Sequence, residues 1–115
     1  MLNKKSINRV VLVGNVGVPP EVRYTQTGRA VAHFSLATHE LIRSDSNKNG
    51  KEHTEWHNIT AWDKNASFVE EYVQVGQLLC IEGYLRTKKW TSKEGVSLSK
   101  TEIVASNIVP LDWKS

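Results

Sequence analysis

At 115 residues, 39% of them hydrophobic and 23% charged, the chain has the size and composition of one globular domain in water. No apolar run approaches the ~20 residues of a membrane helix. Met1 to Ser6 lacks the apolar stretch of a signal peptide, so a cytoplasmic, nucleoid-associated location is the expectation. Fifteen basic residues against 12 acidic give a net charge of +3, too small a bias to hold a polyanion by charge alone.

Ile7 to Val16 is β-branched and apolar and predicts the first strand. Gly14 and Gly17 loosen it, and Pro19-Pro20 ends it, with Val22 to Tyr24 as a short edge piece. After the Thr27-Gly28 turn, Arg29 to Glu40 predicts a second long strand. Its alternation puts Val31, His33, Ser35 and Ala37 on one face and Ala32, Phe34, Leu36 and Thr38 on the other. Leu41 to His53, with its polar run Arg43 to Lys51, reads as a long hairpin loop. A third strand carries Thr54 to Trp62. Lys64 to Val73 is the one helix, with Ala66, Val69 and Val73 at helical spacing and Gly76 just past its end. Gln77 to Trp90 is the fourth strand, bent or bulged at Gly83, and contains the single cysteine, Cys80, as a small buried thiol. Ser92 to Gly95 turns the chain into a fifth strand, Leu98 to Ile108, which Pro110 closes. Three strands, a helix and two more strands is the layout of an all-β OB-fold. That fold is a five-stranded Greek-key barrel with one short helix between strands 3 and 4.

Two strands carry the chemistry. In the third, Thr54, Trp56, Asn58, Thr60 and Trp62 share a face, and Glu55, His57, Ile59 and Ala61 share the other. A packed core normally separates its aromatics with aliphatic residues, not Asn58 and Thr60. From this stretch alone, Trp56 and Trp62 fit a core as well as a surface. The fourth strand tips the balance: Tyr84, Arg86, Lys88 and Trp90 also share one face, and burying two unpaired cations there is costly. Aromatic rings beside cations on an open sheet suit single-stranded nucleic acid. Each stacked base contributes ~1–3 kcal/mol whatever its identity, and three or four rings make a large positive charge unnecessary. Duplexes hide their base faces.

Other patterns carry less. His53 and His57 flank Glu55, but on a strand residues four apart lie about 13 Å from each other, too far to share a metal ion. Gly14-Asn15-Val16-Gly17 lacks the third glycine of a dinucleotide fingerprint and leads to prolines, not a helix. Glu70-Glu71 belongs on the wet face of the helix. No nucleophile–base arrangement stands out, so neither an enzyme nor a cofactor is expected.

Asn8 followed by Val-Val-Leu-Val-Gly-Asn-Val-Gly, then Pro20 to Tyr24, resembles the opening of bacterial single-stranded DNA-binding proteins. Thr54 to His57, Tyr72 to Gly76 and Ile81 to Trp90 resemble later motifs of the same family, in the same order, so the likeness spans about Ile7 to Ile108. It implies an OB-fold homotetramer that wraps single-stranded DNA in replication, recombination and repair. It also implies base stacking on Trp56, Trp62 and Trp90 and a subunit contact near His57. Arg86, Lys88, Tyr84, Arg9, Arg23, Asn15, Lys64 and Lys51 complete the expected DNA-contacting set. The chain departs from the pattern where Ile42 stands for a familiar tryptophan and where Trp62 stands for a phenylalanine. Asn58 and Gln74-Val75 also replace residues that are often basic.

Residues 1–110 are expected to form the DNA-binding domain and 111–115 a short C-terminal remnant. The family's linker and acidic tip, which recruit replication and repair proteins, are not in the sequence. Either it is a piece of a longer chain or it is a tail-less relative. Two other classes fit parts of the pattern: a primosomal-type adaptor using the same barrel mainly for protein contacts, and a metallo-hydrolase on the two histidines.

Overall fold

In the computed structural model, which describes residues 5–112, the elements run β1 (Val10–Val16), β2 (Glu21–Tyr24), β3 (Ala30–Ser44), β4 (Asn47–Trp62), α1 (Lys64–Tyr72), β5 (Leu78–Thr91) and β6 (Ser97–Pro110). Strand order in the sheet is β1-β5-β6-β4-β3-β2, and β1 also pairs with β3 through Asn15–Ala37 and Val16–Leu36. That second pairing closes β1, β3, β4, β5 and β6 into a five-stranded barrel, with β2 a short addition on the edge of β3. The helix lies between the third and fourth barrel strands. This is the OB-fold.

Period-two alternation builds the core directly. Ala32, Phe34 and Leu36 of β3 face Ile59 and Ala61 of β4, Leu79 and Ile81 of β5, and Ile103 and Ala105 of β6. Ala66 and Val69 of the helix, with Val73 just past its last turn, plug one end at the positions the helical spacing predicted, while Glu70 and Glu71 face water. Each fully buried aliphatic side chain contributes about 1.5–3 kcal/mol. Closure needs Gly14, because a Cβ there would lie 2.2 Å from the Ala37 carbonyl oxygen. The register slips by one residue at Glu82–Gly83, the bulge that Gly83 signalled.

Three expectations change. The first strand starts at Val10, not Ile7. Cys80 is half-buried, because its side of β5 looks outward between Val13 and Val109. The predicted loop over residues 41–53 is a β-ribbon: β3 runs on to Ser44 and β4 begins at Asn47, paired through Leu41–Glu52 and Ile42–Lys51. Both faces of that ribbon meet water, so its side chains show no hydrophobic alternation, although the backbone ladder continues. Residues Met1–Lys4 and Trp113–Ser115 lie outside the described residues, as does most of the expected 111–115 remnant. Leu111 donates its N–H to the Leu78 carbonyl at 2.9 Å, and Leu78 donates to the Asp112 carboxylate at 2.8 Å.

Candidate nucleic-acid interface

Cross-strand register places the two chemically loaded faces on one surface. Thr60 of β4 is level with Val104 of the parallel β6. Across β6, Tyr84, Arg86, Lys88 and Trp90 of β5 stand opposite Val104, Glu102, Lys100 and Leu98. On the other side, Trp62, Thr60, Asn58 and Trp56 stand opposite Val31, His33, Ser35 and Ala37 of β3. A groove of about 310 Å³ follows, with His33, Asn58, Thr60, Lys88, Trp90 and Lys100 among its walls.

Trp56 is 58% exposed and Trp90 48% exposed, so both rings are available to a ligand. Trp56 lies against Gly17, where a Cβ would come within 2.1 Å of the indole. The third ring is different. Trp62 is half-buried, and the Arg29 guanidinium sits 4.5 Å from its ring centre. Arg29 in turn pairs with Asp63 at 2.9 Å, which holds that carboxyl below its ordinary range. The Trp62 indole N–H is buried with no hydrogen-bond partner among the described residues.

Beneath the groove lies a charge that strand reading missed. Glu102 is only 4% exposed. Its carboxylate accepts the Thr60 hydroxyl at 2.6 Å and meets Arg86 at 3.2 Å and Lys88 at 3.4 Å. Burial alone would raise its pKa. The Thr60 hydrogen bond, Lys88 and Arg86 outweigh that and hold it below the usual carboxylate range. Arg86 and Lys88 are therefore cations already partly answered by one carboxylate.

The remaining expected contacts scatter. Tyr84 and Arg9 line a separate depression with Asn107, and Arg9 pairs with Glu82 at 2.8 Å. Arg23 is paired with Glu21, which stands at the groove wall. Asn15 donates its amide to the Gly76 carbonyl at 3.0 Å, tying β1 to the turn after the helix. Lys64 opens the helix and is exposed. Lys51 lies out on the ribbon beside Ile42. His57 is half-buried with Nε2 2.8 Å from the Thr38 hydroxyl, while His53 faces Glu55. Arg29, His33, Lys100 and Glu102 join the surface without having been singled out. Alternation along Leu98 to Val104 was the available signal for the last two.

A closed five-stranded barrel with paired aromatics and cations on an open face defines an oligonucleotide-binding barrel. The single-strand binding protein family matches residues 7–111, and the chain belongs to that family. Among solved structures, it is similar to the Plasmodium falciparum SSB complex with ssDNA. That match has 35% identity and a TM-score of 0.83, covering 96% of this chain and 100% of that one. It is also similar to a deletion mutant of the single-stranded DNA binding protein from Thermus aquaticus, with 26% identity and a TM-score of 0.80. There the match covers 92% of this chain and 51% of the other, so the chain spans about half of that protein's length.

Proposed function

We propose that this chain binds single-stranded DNA with little sequence preference, stacking bases on Trp56 and Trp90 while Lys88, Lys100 and Arg86 meet phosphates. The observation that carries this reading is the pair of half-exposed indoles on the same sheet face as those three cations. Two stacked bases supply roughly 2–6 kcal/mol, so a net charge of +3 suffices. The role is binding and protection of exposed strands in replication, recombination and repair, with no chemistry performed on them. The family match and the relative solved with ssDNA support it.

The working form is a homotetramer. Val11 and Val13 of β1 are 55% and 52% exposed, and Val13, Cys80 and Val109 form an outward apolar row across β1, β5 and β6. The edge of β1 over Val10 to Val13, unpaired among the described residues, can extend the sheet into a second copy. In this reading His57, beside Thr38, stands near a second contact.

Titrating oligo-dT while following tryptophan emission tests the reading. Emission should be strongly quenched, and single strands should bind at least about a hundredfold more tightly than duplex, roughly 3 kcal/mol. Unchanged emission at saturation, or equal affinity for both forms, overturns it.

A further inference from the structure

His33 pairs across the β3–β4 ladder with Thr60, and its Nδ1 lies 3.2 Å from the Thr60 hydroxyl oxygen. That hydroxyl has one proton, and it is donated to the Glu102 carboxylate at 2.6 Å. Nδ1 must therefore carry a hydrogen and donate it to Thr60. The neutral ring is thereby fixed in one tautomer, with Nε2 unprotonated. Nε2 has no hydrogen-bond partner among the described residues, although the ring lines the groove with Lys88 and Lys100. Three residues from three strands thus form one directed chain, N–H to hydroxyl to carboxylate, with its free end at the ligand surface.

Resting on the single-strand reading above, we propose that His33 is a phosphate-contacting residue: Glu102 and Thr60 hold its ring in place, and Nε2 takes up a proton as it meets a phosphate of the bound strand. Phosphate oxygens only accept hydrogen bonds, so an unprotonated Nε2 has nothing to offer them, whereas an imidazolium does. The proton comes from solvent and stays on Nε2 in the complex. Lys88 and Lys100 mark the same part of the groove as the place for phosphate charge, and Glu102 lies behind Thr60 to offset the new cation.

The surroundings keep the free imidazole neutral. Burial is the largest cause, with Lys88 and Lys100 adding to it, while Glu102 and Glu21 pull the other way; the balance lies below the ordinary histidine value. A phosphate in the groove offsets the two lysines and raises the pKa. The bound value then exceeds the free one. Affinity climbs as pH falls between the two and is level outside that interval, by up to about tenfold per pH unit for one full proton.

The test is oligo-dT affinity at fixed salt from about pH 8 to about pH 5, where imidazoles titrate. Wild type, His33→Gln and His33→Lys would be compared, with the His33 ring resonances followed by NMR in free and DNA-bound wild type. His39, His53 and His57 are common to all three proteins and cancel in the comparison. Wild-type affinity should rise on acidification, His33→Gln should flatten that rise, and His33→Lys should bind tightly with the same flattening. The His33 resonance should titrate at higher pH in the complex. Equal pH slopes in wild type and His33→Gln, or a His33 pKa unmoved or lowered by DNA, overturns the phosphate contact; a lowered one means that neutral Nε2 reads a base instead. Absence of ssDNA binding near pH 8 overturns the underlying reading as well.

Discussion

The Arg29 guanidinium covers the Trp62 ring at 4.5 Å, so the three tryptophans of the candidate face are not equivalent. One side of Trp62 is occupied by a cation, and the ring is half-buried, whereas Trp56 and Trp90 stand open. Trp56→Ala and Trp90→Ala should each weaken oligo-dT binding by ~1–3 kcal/mol with little change in melting temperature. Trp62→Ala should cost under about 1 kcal/mol of affinity and more stability than either. Fluorescence titration beside thermal melting separates the cases; an equal affinity loss at all three positions would mean that Arg29 moves aside for the strand.

Gly17 sets where Trp56 rests. A methyl group there would come within 2.1 Å of the indole and 2.7 Å of the Ser35 hydroxyl oxygen. The indole is exposed and can swing away, so Gly17→Ala should leave folding nearly unchanged. The displaced ring should still weaken ssDNA binding, by about 1 kcal/mol. Normal affinity in a normally folded Gly17→Ala protein would show that Trp56 need not lie there to stack.

Glu102 couples stability to pH. Its folded pKa is depressed through Thr60, Lys88 and Arg86. The stability it contributes is fully present above the unfolded carboxylate pKa of about 4.3 and is lost as pH falls through the lower folded value. Glu102→Gln should therefore unfold more easily in urea at neutral pH, by roughly 1.5–3 kcal/mol. It should also lose less stability than wild type on acidification. Identical acid dependence in the two proteins would show that the carboxylate is not the group responsible.

Assembly should respond to the outer face of the barrel. Val13→Glu puts a charge into the row formed with Cys80 and Val109, and His57→Lys puts one beside Thr38. Light scattering should find species smaller than the proposed tetramer for either variant. Long oligonucleotides, which would span several barrels of the proposed assembly, should lose more affinity than short ones. A Val13→Glu protein of unchanged mass would remove that row from the interface.

Local sequence decided what depends on local period. Side chains two apart on a strand share a face, so Ile59 and Ala61 belonged to the core, and Trp56 and Trp90 stood out as rings among polar neighbours. Helical spacing likewise marked Ala66 and Val69, with Val73 just past the helix, and a glycine inside a strand marked the bulge at Gly83. The motifs from Asn8 to Trp90 carried the family. The polar ribbon over residues 43–51 was missed, because backbone hydrogen bonds hold it and side-chain pattern does not record them. Only tertiary structure could bury Thr60 to 1% exposure on the face that leaves Trp56 open. The parallel arrival of β6 brings Glu102 to Thr60 from 42 residues away, and the barrel carries Arg29 onto Trp62 from 33 positions earlier in the chain. Such pairings depend on strand order and register, and no window of neighbouring residues contains both partners.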